Sequence, residues 1–220
     1  MHFPRLRALL LASVLLLAAT AALWAHPHMS LDSRLEFEMK GGECLGIRVE
    51  WLFDPMFSAS IIGENDLNHD GRFDKAENER VRKGAFANLA NYGYFIFLRK
   101  GDKRVCPDRV EAFEASQRDG RLVYRFRVPL EGKGYSGDFS VAVFDSTFYC
   151  AVRYPADPAS VRPVEGTEPR PGAIVEVAAN KKYPVFYNPS GAASDFRVYD
   201  KWQKGLETAY PEEVRLHFAE

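Results

Sequence analysis

Hydrophobic and polar residues alternate with a period of two through much of this chain. Leu31, Ser33, Leu35, Phe37 and Met39 fall on one face of an extended segment, with Asp32, Arg34, Glu36 and Glu38 on the other. Gly41-Gly42 supplies turn chemistry, and Leu45, Ile47, Val49, Trp51 and Phe53 then share a face, so a β-hairpin is predicted. Strand character resumes at 94–98, ahead of a Lys100-Gly101-Asp102 turn. A second hairpin is predicted where 110–116 meets 122–130 across Asp119-Gly120. Segments 139–144 and 147–154 read as two further strands or one long bent one, and 173–177 and 214–218 alternate again. The stretch 155–172 is rich in proline and polar residues and predicts an exposed loop. Within 180–210, Phe196, Tyr199, Trp202 and Leu206 would share one face of a helix. Short strands joined by turns predict a mainly β fold, a β-sandwich-like domain with one helical insertion.

That insertion is where the period changes. Asp54-Pro55 reads as an N-cap followed by proline at the first helical position, leading a short helix through Met56, Phe57, Ile61 and Ile62. Val81, Ala85, Phe86 and Leu89 make an apolar helical stripe further on, ended by Asn91 and Gly93. Between the two helices lies an acidic run with the order of a calcium-binding EF-hand loop. Asp66, Asn68 and Asp70 would each give a side-chain oxygen, Arg72 its carbonyl, Asp74 an oxygen directly or through water, and Glu77 two oxygens. Gly71 sits sixth, where the chain must bend sharply. Ca²⁺ takes six to eight oxygens, and alternate residues of a curling chain converge on one point. The bland alternative is an acidic surface turn. A second loop of this kind does not occur, so the usual pairing of two hands is absent.

The N-terminus changes the compartment. Arg5 and Arg7 precede a nearly unbroken apolar run from Ala8 to Leu23, as a secretory signal peptide requires. Cleavage after Ala21 fits the small-x-small rule, whereas cleavage after Ala25 would make His26 the first mature residue. An uncleaved anchor is the alternative. The expected division is a signal peptide over 1–25 and one β-rich periplasmic domain over 26–220, with the EF-hand insertion at 54–91 and no further membrane span. With 220 residues and a formal net charge of -1, the chain suits one domain and lacks the basic stripe of a nucleic-acid binder. Cys44, Cys106 and Cys150 show no Cys-x-x-Cys spacing, and the sequence does not choose among disulfide, buried thiol and ligand.

Two imidazoles flank a rigid proline in His26-Pro27-His28, an arrangement that can present nitrogen ligands to Zn²⁺, Ni²⁺ or Cu²⁺. If cleavage exposes His26, its amine and ring could chelate copper as a brace, the basis of an oxidase reading. Frayed, exposed histidines are the plain alternative. His69 reads as outward-facing within the acidic loop, and His217 as an ordinary strand residue. Nucleophilic catalysis finds little support, since Gly134-Tyr135-Ser136-Gly137 lacks the spacing of a nucleophile elbow. No enzymatic activity is expected.

His26-Pro27-His28, Trp51-x-Phe53-Asp54 with Phe57-Ser58, the single acidic loop, and Phe144-Asp145-Ser146-Thr147-Phe148-Tyr149 occur in this order. Together they resemble the bacterial domain-of-unknown-function family numbered one thousand and seven, described as the periplasmic component of an ABC-type transport system. The likeness runs to about Tyr154. The chain differs from the family pattern in Ser146, where proline is usual, and in a longer C-terminal portion. The resemblance implies a periplasmic accessory protein of transition-metal transport that works with a membrane metal transporter. It also makes Asp145 a candidate to join His26 and His28 in a mixed nitrogen–oxygen site, although a turn-capping role serves Asp145 equally well. An exported interaction module whose only metal is calcium is the competing expectation.

Overall fold

The computed structural model describes residues 27–167, 171–192 and 194–219. The expected signal peptide and His26 lie outside these residues. The fold is mainly β, with two larger sheets, one two-stranded sheet and two α-helices.

The first hairpin is β1 (Met29–Lys40) and β2 (Glu43–Phe53), turned at Gly41 with φ +57°. The second is β5 (Glu111–Arg118) and β6 (Arg121–Pro129), turned at Asp119 and Gly120, both with positive φ. β3 (Ile96–Lys100) and β4 (Lys103–Val105) form a third, short hairpin around Gly101. Segments 139–144 and 147–154 become two separate strands, β7 (Phe139–Val143) and β8 (Cys150–Arg153), which join different sheets.

In the first sheet the order is β5-β6-β2-β1-β8. The remaining length of β1 beyond β8 pairs in parallel with β9 (Ala159–Pro163), Leu35 standing opposite Ala159 and Met39 opposite Pro163. This corrects the expectation of an exposed loop over 155–172. β8 matches β1 only from Met29 to Asp32, and the unsatisfied edge beyond it recruits the next extended segment. Pro163, with no amide hydrogen, is tolerated at the strand end.

The second sheet runs β10-β13-β7-β3-β4, with β10 (Ala173–Ala179) and β13 (Glu212–Phe218) antiparallel. Both sheets contribute to one core, in which the Phe37 and Phe139 rings meet edge to face at 5.6 Å. The alternation seen in β1 and β2 follows from this. Leu31, Leu35, Phe37, Ile47, Val49 and Trp51 are buried. On the opposite face, Glu38 pairs with Arg48 and Arg127, and Glu50 with Arg34, Arg118 and Arg125.

The described residues of the segment 180–210 form no helix. It holds a short hairpin of β11 (Val185–Tyr187) and β12 (Glu207–Ala209) with irregular chain between. Phe196 and Trp202 are exposed rather than aligned on a buried face. Pro184, Pro189, Gly191 and Gly205 punctuate the segment too closely for helix propagation.

Helix α1 (Pro55–Asn65) starts where the sequence predicts it. Asp54 Oδ1 accepts hydrogen bonds from the amides of Met56 and Phe57, both at 2.9 Å, while Oδ2 accepts from Ser30 N at 2.7 Å. Helix α2 (Lys75–Val81) is capped by Asp74. The apolar stripe expected after it is not one α-helix. The chain widens to a π turn over Arg82–Phe86, then tightens to a 3₁₀ run over Ala87–Phe95 that breaks at Tyr92, Gly93 and Tyr94. Gly84 and the asparagines at 88 and 91 are weak helix formers, while Phe86 is drawn into the core against Phe113 and Phe126. None of the described residues forms a helix long and apolar enough to cross a membrane.

Candidate functional site

Three features could carry chemistry: the acidic loop between α1 and α2, the turn between β7 and β8, and a cavity beside that turn.

In the acidic loop, Asp66 ends α1 and is buried. Its Oδ2 accepts from Gln117 Nε2 at 2.8 Å and from Gly71 N at 3.1 Å, whereas its buried Oδ1 has no hydrogen-bond partner among the described residues. The Gln117 amide, with the loop's own amides, holds the Asp66 carboxyl below its ordinary range against the effect of burial. Asn68 Oδ1 accepts from Asp70 N and Asp70 Oδ1 from Arg72 N, both at 2.9 Å, the local turn chemistry of short polar side chains. Gly71 takes φ +78° at the bend. Glu77 is buried and accepts from Leu67 N at 2.8 Å and Asp74 N at 2.9 Å, closing the loop across its length. His69 is exposed, as expected.

An oxygen-only set with one buried, unpartnered carboxylate oxygen fits a hard divalent cation. In this arrangement Glu77 is turned onto backbone amides, in a reciprocal capping box with Asp74. Among the described residues no three His, Cys, Asp or Glu side chains converge as a metal-ligating group. Gln117, on β5, was not legible as a partner of the loop. The contact depends on Asn78 docking α2 onto the same strand, its Nδ2 donating to Ala115 O at 2.7 Å.

The turn between β7 and β8 places Asp145 in the interior. Its Oδ1 accepts from Thr147 N and Thr147 Oγ1, each at 2.8 Å, and its Oδ2 from Cys150 N at 3.1 Å. This is the turn-capping arrangement, and it uses three of about four acceptor positions of a carboxylate. His28 lies at the same place, because its amide donates to Tyr149 O at 2.9 Å and its ring meets the Tyr149 ring at 4.9 Å. Parallel pairing of Met29 with Cys150 thus brings the histidine segment and the Asp145 turn together. His217 sits on β13 opposite Ile174, away from this turn in the sheet register.

All three cysteines are free thiols. Burial pushes Cys44 up to about 12, and burial together with the Asp145 charge raises Cys150 further. Neither is a ready thiolate ligand or nucleophile.

Beside the turn lies a cavity of about 310 Å³. The first sheet contributes Trp51, Phe53 and Tyr124, the helical run contributes Tyr92 and Phe95, and the turn contributes Asp145. Sequence reading missed it. The alternating aromatics were legible as core, but the gap they surround is a property of assembled elements.

Comparison with known proteins agrees with the order of motifs. The sequence profile described as "Protein of unknown function (DUF1007)" matches residues 11–218. The match therefore includes the C-terminal portion beyond Tyr154, which corrects the narrower extent expected. The chain is 38% identical over 90 residues to an uncharacterized 15.5 kDa protein from the trpE 3' region of Spirochaeta aurantia, covering 40% of this chain and 64% of that relative. No solved structure matches the chain. With the profile spanning nearly its whole length, the chain belongs to the DUF1007 family of proteins of unknown function.

Proposed function

We propose that this protein is an exported, periplasmic metal-binding accessory protein that serves transition-metal transport and uses calcium as a structural ion. In this reading a β-sandwich-like scaffold carries an EF-hand. Asp66, Asn68, Asp70, the Arg72 carbonyl, Asp74 and Glu77 hold Ca²⁺. The observation that carries the calcium part is the buried Asp66 Oδ1, an acceptor with no partner among the described residues in a loop of the right register. Bound calcium would supply charge compensation for a buried carboxylate pair and lock α1 against α2. Glu77 must turn from the Leu67 and Asp74 amides to close such a shell.

His26, His28 and Asp145 are the proposed holders of Zn²⁺, Ni²⁺ or Cu²⁺, a cargo handed to a membrane transporter. The contact of the His28 segment with the Asp145 turn supports this set. One acceptor position on Asp145 is left for it, and a nitrogen–oxygen donor set suits these metals. No catalytic role is proposed.

The test is calorimetric titration of the exported form. Calcium is expected to bind the wild type and to raise its melting temperature, with both effects lost in Asp66→Asn/Glu77→Gln. Zinc, nickel and copper are then compared with a His26→Ala/His28→Ala variant. Identical weak binding by wild type and variant would remove the transport role. A second reading, a calcium-stabilised interaction module, is favoured by the exposed Phe196, Val198 and Trp202 at 50%, 56% and 57% accessibility. Under that reading a calcium-dependent pull-down survives replacement of His28.

A further inference from the structure

The sequence carries one acidic loop of the EF-hand type, without the second hand that would steady it. Strand β5 stands where such a neighbour is needed. It is the outermost strand of the first sheet, paired with β6, and it meets the helix-loop-helix at two places. At Ala115 the backbone is met by Asn78 of α2, whose Nδ2 donates to Ala115 O at 2.7 Å while its Oδ1 accepts from Ala115 N at 3.4 Å. One side-chain amide thus engages both backbone groups of an edge residue, as a neighbouring strand would. Two residues on, Gln117 Nε2 donates to Asp66 Oδ2 at 2.8 Å.

The Gln117 contact selects one oxygen of Asp66. Gly71 N also donates to Oδ2, at 3.1 Å, so the loop and the strand hold the same oxygen from two sides. The other oxygen, Oδ1, is buried with no hydrogen-bond partner among the described residues, in a side chain whose residue is only 4% exposed. Oδ1 is therefore the oxygen left for a cation, and the carboxylate cannot turn it away without breaking both hydrogen bonds. Outer partners of this kind orient metal-binding carboxylates, and losing one costs about ten- to a hundredfold in metal affinity. Asn78 acts at the far end of the loop. It follows Glu77 on α2, so its grip on Ala115 fixes the helical turn that carries the closing carboxylate.

We propose that β5 takes the place of the second hand, with Gln117 and Asn78 as positioning residues of the calcium site. This role rests on the calcium reading above. Coupling between binding and the edge contacts is reciprocal, so calcium tightens β5 by the factor through which β5 tightens calcium.

The experiment is calcium calorimetry on the exported chain, comparing wild type with Gln117→Met and Asn78→Ala. Melting is followed in chelator and in calcium, and hydrogen exchange is followed over 111–118. Gln117→Met keeps the reach of the side chain and removes its donor, and is expected to weaken calcium about tenfold. The calcium-induced rise in its melting temperature should shrink accordingly. A purely structural role would instead lower melting equally in chelator and in calcium and leave the affinity at the wild-type value. Asn78→Ala is expected to weaken calcium several-fold. Calcium should slow exchange over 111–118 in wild type and do so less in both variants. If Asn78→Ala fails to fold, Gln117→Met decides. Wild-type affinity in Gln117→Met, or exchange over 111–118 indifferent to calcium, would overturn the role of β5. The calcium reading would still stand wherever wild type binds and Asp66→Asn/Glu77→Gln does not. Absence of calcium binding by wild type would overturn both.

Discussion

At Gly93 the backbone adopts φ +60° where the 3₁₀ run ends, and a β-carbon there would collide with Cys106 Sγ. Gly93→Ala is therefore expected to cost about 1–3 kcal/mol of stability, the usual penalty for a strained left-handed residue. Because the collision involves Cys106 Cβ as well as Sγ, urea denaturation of Gly93→Ala beside Gly93→Ala/Cys106→Gly, with Cys106→Gly as the reference, divides that cost. The second replacement should recover the collision and leave the backbone strain. Residue-level legibility was uneven for similar reasons. Gly93 and Gly71 announced bends because only glycine visits these angles cheaply. Asp145 left a turn cap and a metal ligand equally open, and its short-range hydrogen bonds to Thr147 and Cys150 are those of a cap. Gln117 announced nothing, because a glutamine on a strand has many equivalent uses until a partner arrives from another element.

Among the elements, α1 shows local signal and tertiary context agreeing. Asp54 caps the helix with one carboxylate oxygen and holds Ser30 of β1 with the other, and Ser58 Oγ accepts from Leu122 N at 3.0 Å on β6. Asp54→Ala should cost about 1–2 kcal/mol, the upper part of the N-cap range, because two orphan amides and a strand contact lose their acceptor at once. The midpoint of thermal or urea unfolding measures it, and a loss below a few tenths of a kcal/mol would mean water replaces the cap. The run after α2 shows the opposite case. Its apolar spacing was helical, yet Phe86 stacking on Phe113 at 4.0 Å, in residues too weak as helix formers to resist, pulls the turn open. β9 was hidden for a related reason. None of its five residues is fully buried, and it becomes a strand because β1 offers an empty edge.

The whole molecule is laced by buried and half-buried carboxylates on arginines, and its acid stability follows. Burial raises the Glu213 carboxyl, but hydrogen bonds from Arg99 at 2.6 Å and Asn180, with the Arg99 and Arg104 charges, hold it below the usual carboxylate range. Glu38 behaves likewise between Arg127 and Arg48, and Glu50 between Arg125 and Arg118. A group depressed on folding binds fewer protons in the folded state, so its contribution is present above the unfolded value and lost as pH falls through the folded one. Melting temperature should thus hold near neutrality and drop once pH goes below about 4.5, the unperturbed glutamate value. Glu213→Gln should cost about 3–5 kcal/mol at pH 7, having left two arginines without their counter-charge. The gap from wild type should narrow as pH falls, since a protonated Glu213 resembles glutamine. A gap independent of pH would show that Glu213 acts through packing alone.

By itself the sequence determined the two long hairpins, the Asp54 cap, the bends at the turn glycines and the mainly β character, because alternation, turn glycines and N-cap residues act over a few neighbouring positions. It placed the bend of the acidic loop at Gly71 in the same way. Only the tertiary structure decided which strands share a sheet, that β8 and β9 both take the edge of β1, and that the His28 segment meets the Asp145 turn. The aromatic cavity is likewise a tertiary result. Those outcomes depend on edges and volumes left unsatisfied between segments far apart in the chain, a quantity that does not exist until the segments have packed.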